Sequence, residues 1–141
     1  SRQVEENMNK YTEWEKNYTK AMTEDVYGGK TPQETLDMFI DALKKEDIEL
    51  ASKYFMLDTN EQPYNRENYM NRKKWEDGLK KTKEAGKLQE ISVLLTKLKP
   101  DKESSSIDTA WFSILNSEGI ADYGAILKFN EYSKVWKIES L

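Results

Sequence analysis

The run Asp58-Thr59-Asn60-Glu61 offers oxygen donors of the kind that calcium takes. It lacks the loop length, central glycine and terminal glutamate that a calcium hand requires. Gly28-Gly29 precedes a helix, but without the lysine and hydroxyl spacing of a phosphate-cradling loop. Arg72, Lys73, Lys74, Lys80, Lys81 and Lys83 have the charge to hold phosphates. Glu67, Glu76, Asp77 and Glu84 are interleaved with them, which describes a solvated helical face. Asn17-Tyr18-Thr19 matches a glycosylation acceptor, a pattern short enough to arise by chance. The chain has 0 His and 0 Cys. Thiolate nucleophiles, disulfides, cysteine-held metals and the Ser-His-Asp arrangement are therefore impossible, and the usual general base is missing. No metal site and no cofactor are expected.

The elements that must position any remaining site are set by a chain of 141 residues, about one domain. With 37% hydrophobic and 34% charged residues the core should be small, with tyrosine and tryptophan supplying much of its bulk. A net charge of -4 gives no electrostatic reason to expect nucleic acid. No stretch is apolar enough to span a membrane.

Ser1 to Asp25 reads as a leader helix with Val4, Met8, Tyr11, Trp14, Tyr18 and Met22 along one side. Such a stripe usually packs on its own domain; the functional alternative is an interaction face made by Val4, Met8, Tyr11, Trp14 and Tyr18. Val26 to Lys30, with its paired glycines, reads as a hinge. Residues 31–141 form one domain. Thr31, Pro32 and Glu34 make a capping box with proline at the first helical position. Leu36, Phe39, Ile40 and Leu43 then share one face. Asp47 can cap a second short helix carrying Leu50, Ala51, Tyr54 and Phe55, so Thr31 to Phe55 is a helical hairpin.

Met56 to Tyr64 should be a loop, Asn65 or Asn68 a cap, and Arg66 to Ala85 a helix with Tyr69, Trp75 and Leu79 inward, stopped by Gly86. Leu88 to Leu98 fits a helix through Leu88, Ile91, Leu95 and Leu98, or a strand through Ile91, Val93 and Leu95. Both readings stand, the helix slightly ahead. Pro100 ends this element, and Pro100 to Ser106 reads as loop. Three alternating runs follow: Ile107 to Asn116, Ala121 to Phe129 and Val135 to Leu141. Ala110, Phe112 and Ile114 share one side with Trp111 on the other. Tyr123, Ala125, Leu127 and Phe129 line up, as do Trp136 and Ile138. The fold class is α+β, with N-terminal helices packed on a curved C-terminal antiparallel sheet.

The capped segment TPQETLDMFIDALKKEDIELASKYF, followed by more helix and by ILKFNEYSKVWKIESL, resembles the nuclear transport factor 2-like superfamily. That superfamily has a cone-shaped α+β fold shared with ketosteroid isomerases and many small bacterial domains. The resemblance covers residues 31–141. It implies an extracytoplasmic location on an N-terminal membrane anchor outside the sequence, which a start at Ser1 without Met would fit. It also implies an alternative function: an isomerase or dehydratase using a carboxylate as acid-base and a tyrosine as oxyanion donor, with Asp122-Tyr123 or Tyr54 near Asp58 in those roles. Neighbours in a strand point to opposite faces, so Asp122 and Tyr123 cannot share a pocket without a bulge.

The reading that follows is a non-catalytic binding or interaction domain. A small apolar pocket between hairpin and sheet is expected around Phe39, Leu43, Tyr54, Phe55, Phe112, Leu127, Phe129 and Trp136, beside Leu36 and Ile40; simple packing is the more frequent use of such residues. The partner would be a small apolar ligand or a protein. Trp111 on the outer sheet face suits a homodimer through the sheet, and the leader helix suits docking on another chain.

Overall fold

The computed structural model of the protein describes residues 1–57 and 71–141. Asp58, Tyr69, the expected caps at Asn65 and Asn68 and most of the expected 56–64 loop lie outside the described residues. The fold is α+β: among the described residues, five helices precede a four-stranded antiparallel sheet in simple meander order.

Helix α1 runs Arg2–Glu24, with the Ser1 hydroxyl accepting from the Val4 amide at its start. Helix α2 spans Pro32–Lys44. Thr31 Oγ1 accepts from the Glu34 amide at 3.1 Å. The Glu34 carboxylate accepts from the Lys30 amide at 2.7 Å, one residue before the position a standard capping box uses. Leu36, Phe39, Ile40 and Leu43 are buried, as their spacing requires. The turn passes through Glu46 with φ 57, a left-handed conformation unusual for a residue with a side chain. Asp47 then caps α3, Ile48–Lys53, by accepting from the Leu50 amide. Ile48 joins Ala51, Tyr54 and Phe55 in the core, while Leu50 packs at its margin.

Helix α4, Asn71–Glu84, turns Trp75 onto the Phe55 ring, stacked at 4.5 Å between centroids. Leu79 is buried one turn on, and the helix gives way at Gly86 with φ 71. Leu88–Leu95 is a helix, α5, which settles the ambiguity of that stretch. Its Ser92 is buried and donates to the Leu88 carbonyl at 2.8 Å, so a polar residue on the inner face is satisfied without leaving the helix.

Strand β1, Lys99–Asp101, occupies residues expected to begin a loop. Pro100 is tolerated there because β1 is an edge strand, paired only with β2, and the missing amide need not serve a second neighbour. β2 is Thr109–Leu115, β3 Ala121–Asn130 and β4 Val135–Ser140. Gly119, φ 79, closes the β2–β3 turn, where Asn116 Oδ1 accepts from the Glu118 and Ile120 amides. Bulges at Ile114/Leu115 and Ile126/Leu127 bend the sheet. Ala110, Phe112, Ala125, Leu127 and Ile138 face the helices and close the core.

The outer edge of β4 is engaged at Trp136 and Ile138. The Trp136 amide donates to the Gly29 carbonyl, and the Trp136 carbonyl accepts from Thr35 Oγ1. The Ile138 amide donates to the Tyr54 carbonyl, and the Ile138 carbonyl accepts from the Met56 amide.

Candidate functional site

Alternation along β4 puts Trp136 and Ile138 on one face of the strand and Lys137 on the other, a position where a lysine would ordinarily reach water. Lys137 is instead wholly buried, at 0% exposure. Its Nζ donates to Asp25 Oδ1 at 3.0 Å, to the Lys53 carbonyl at 2.6 Å and to the Tyr27 carbonyl. All three ammonium protons are used. Asp25 is buried too, and its second oxygen accepts from Arg72 Nη2 at 3.0 Å. Arg72 also donates to the Phe55 carbonyl from Nη2 at 2.6 Å and from Nε at 3.2 Å. One carboxylate thus joins two cations. The carbonyls at and just beyond the C-terminal end of α3 supply further negative potential. Burial pushes the Lys137 ammonium down to about 8; the Asp25 carboxylate opposes that fall and the Arg72 charge adds to it.

A lysine in that range is a familiar nucleophile, but this one has no spare proton and no opening to solvent. Its role is to tie. Five segments meet at Lys137, Asp25 and Arg72: the end of α1, the strap that follows it, the end of α3, the start of α4, and β4. Nothing in the sequence marks this cluster, because Lys137 stands in an alternating strand and Asp25 at a helix end, both positions that read as solvent-facing.

The strap, residues 25–31, is anchored over its length. A Cβ on Gly28 would fall 2.2 Å from the Trp136 carbonyl oxygen, so only glycine permits this approach. The Gly29 amide donates to Thr35 Oγ1 at 2.9 Å. Of the paired glycines expected to form a hinge, Gly28 lets two backbones approach, while Gly29 leaves room for the Glu34 side chain. Asn130 Nδ2 donates to the Met22 carbonyl at 2.9 Å, fixing the last turn of α1 to the β3–β4 turn.

This anchoring decides where the rest of α1 goes. Met22 is buried, and Tyr18 meets Tyr132 edge-on at 5.9 Å. Trp14 stacks on Tyr18 at 5.2 Å, and Tyr11 leans on Trp14 at 5.8 Å. Beyond them Val4 is 53% exposed, Met8 64% and Tyr11 53%. The five residues expected to form an interaction face do lie along one side of one helix. Trp14 and Tyr18 are half-buried, Tyr18 against Tyr132 of the domain, and the outer three are open. A groove of about 330 Å³ runs beside Tyr18 and Met22, with Asp108, Lys128, Phe129 and Tyr132 among its lining residues.

The residues expected to line an internal pocket are brought together as packing. Phe39, Leu43, Tyr54, Phe55, Phe112 and Leu127 are all buried in one cluster, with Phe39 edge-on to Phe55 at 5.4 Å. Phe129 and Trp136 are half-buried and touch each other at 5.5 Å. Burial raises the Tyr54 and Tyr123 hydroxyl pKa values, but Asp122 is exposed on the strand and Asp58 lies outside the described residues, so neither tyrosine is seen with its expected carboxylate. Among the described residues no three His, Cys, Asp or Glu side chains are grouped to hold a metal. Among the same residues no helix is long and apolar enough to cross a membrane. Trp111 is exposed on the outer sheet face, as its alternation implies. No family model matches the chain, and no curated protein or solved structure matches it either.

Proposed function

We propose that the protein is a non-catalytic interaction module whose working surface is the apolar side of α1. The observation that carries this reading is the exposure of Val4, Met8 and Tyr11 in line, on a helix whose other end is locked to the domain by Asp25, Met22 and Asn130. A stripe that merely completed the core would be covered along its whole length. Covering these three side chains is worth roughly 1.5–3 kcal/mol for each one fully buried, less here because each already keeps part of its surface from water. Burial of Phe39, Leu43, Tyr54, Phe55, Phe112 and Leu127 in one cluster supports a binding role at the surface. The helical hairpin followed by a β-meander supports placing the domain with the nuclear transport factor 2-like cone proteins.

The test is the variant Met8→Glu, alone and with Tyr11→Glu. Because these side chains are open to solvent, thermal unfolding should change by no more than about 0.5 kcal/mol. Association with any binding partner, followed by chemical cross-linking of wild-type and variant chains, should be lost. A large fall in stability with association intact would show that the outer half of α1 serves the fold.

A further inference from the structure

We propose that the outer face of the sheet binds a single-chain anionic amphiphile, a long-chain carboxylate whose tail lies across the strands and whose head meets lysines at the β1 edge. This goes beyond the α1 reading and uses no residue of α1. Strand pairing sets Lys99 beside Ser113 and Ser113 beside Gly124, so these three form one row on the outer face. The row on one side of it is Asp101, Trp111 and Ile126, and Leu115 stands on the other side. Trp111 is 40% exposed and Leu115 60%, while a serine and an exposed glycine lie between their rows. Two bulky flanks with little bulk between them leave a trough. Trp111 and Leu115 are four residues apart along β2, about 13 Å, which admits one hydrocarbon chain lying on the face. At the β1 end the trough opens into a groove of about 670 Å³, lined by Lys97, Lys99, Pro100, Lys102, Ser113 and Leu115 among others, a volume in the range of small-molecule sites.

Charge selects the head group. Lys97, Lys99 and Lys102 are exposed, and none of them makes an ion pair among the described residues. Two carboxylates share the groove with them. Asp101 is committed to its own turn, where Oδ1 accepts from the Ser104 amide at 3.2 Å and Oδ2 from the Ser104 hydroxyl at 2.9 Å. Glu103 is exposed. Three lysines against two carboxylates leave this end locally positive in a chain of net charge -4, so an anion is drawn here. Farther along the outer face Lys128 is neutralised by Glu139 at 3.3 Å, and the tail passes toward a region with no competing cation there. An anionic membrane surface is the poorer match. The trough takes a chain lying along the sheet, and a surface of like charge repels a molecule of net charge -4.

Isothermal titration of the full chain with laurate, kept below the concentration at which it forms micelles, measures this. Saturable binding is expected with a Kd on the order of 0.1–1 mM, together with a change in tryptophan fluorescence that Trp111→Phe removes. Ser113→Phe fills the trough and should weaken binding by about tenfold or more. Lys99→Glu should weaken it by about fivefold, a difference that shrinks with added salt. Both variants should unfold thermally like the wild type, because both positions lie on the solvent side of the sheet. Met8→Glu should bind laurate unchanged, which separates this site from the α1 surface; loss of binding in that variant places the chain on α1 and overturns the site. Absence of saturable binding up to about 5 mM also overturns it, and so does binding that survives Ser113→Phe. A neutral maltoside of the same chain length that binds as tightly as laurate overturns the anionic head. Vesicles rich in phosphatidylglycerol that sediment the protein, with laurate neither binding nor competing, overturn the single-chain occupant in favour of a membrane surface.

Discussion

Raising the pH should stabilise this protein over a range in which most proteins are indifferent or begin to fail. Lys137 has a folded pKa of about 8 against the ordinary 10.5 of a solvated lysine. Its folded value lies below its unfolded value, so between the two the unfolded chain binds more protons than the native one. Stability therefore rises with pH across that interval, and the burial cost of the charged form is carried in full only below pH 8. The complete interval spans about 3 kcal/mol, at 1.36 kcal/mol per pKa unit. Restricting the comparison to about pH 7.5 and about pH 9.5 keeps clear of Tyr54 and Tyr123, whose raised pKa values make their ionisation destabilise the fold above pH 10. Over that narrower range Lys137 alone contributes about 2 kcal/mol, or about 6 °C in Tm for a chain of this size. Urea unfolding at the two pH values measures it. Lys137→Met should be destabilised at the lower pH, by about 3 kcal/mol or less, because Asp25 keeps Arg72 while the Tyr27 and Lys53 carbonyls lose their donor. It should also show no rise with pH. Lys137→Arg, which keeps a charge that does not titrate, should likewise be flat. A wild-type profile that is level or falling from pH 7.5 to 9.5 would refute the argument, as would an equal rise in Lys137→Met.

Glycine replacement should act with opposite signs at two positions. Gly28→Ala drives a methyl into the Trp136 carbonyl and should cost about 1–3 kcal/mol, whereas Gly78→Ala, on an open face of α4 with nothing within 4 Å, should gain about 0.5–1 kcal/mol; chemical denaturation distinguishes them. Phe55→Ala removes a ring held between Phe39 and Trp75 and should lower stability by about 3–5 kcal/mol, with a matching loss of near-ultraviolet dichroism from Trp75. Hydrogen exchange should divide α1. Amides before Trp14 should exchange quickly in the monomer, because a helix segment this short is marginal alone, while those from Tyr18 to Glu24 should be protected to nearly the level of the sheet. Uniform protection along α1 at low concentration would contradict the division.

Much of this architecture is written in local pattern. Thr31, Pro32 and Glu34 announce α2, and the alternation within β2, β3 and β4 is enough to place Trp111 outward and Leu127 inward. Leu88 to Leu95 resists such reading because its apolar residues satisfy two periods at once, and packing against α2 decides for helix. Strand β1 escapes because Pro100 signals a stop, a signal that holds inside a sheet and fails at its edge. The candidate site divides in the same way. The stripe on α1 follows from spacing alone, but how far the domain covers it depends on Tyr132 and Asn130, which are remote in sequence. The Lys137 cluster could not be read at all, since Asp25, Arg72 and Lys137 are each ordinary surface residues by local pattern and become partners only when the chain is folded.

The strap that seals β4 also governs how the molecule can fail. With Gly29, Thr35, Tyr54 and Met56 serving the backbone of Trp136 and Ile138, one end of the sheet offers no strand for another chain to copy. The other end is three residues long, begins with Lys99 and Pro100 and is followed by Lys102. Among the described residues, neither edge of the sheet invites strand pairing by a second native molecule. Any change that lifts the strap, such as a methyl on Gly28, would bare the backbone groups of β4 and convert a modest loss of stability into an open template for strand-by-strand aggregation, a hazard set by kinetics that an equilibrium unfolding curve would not reveal.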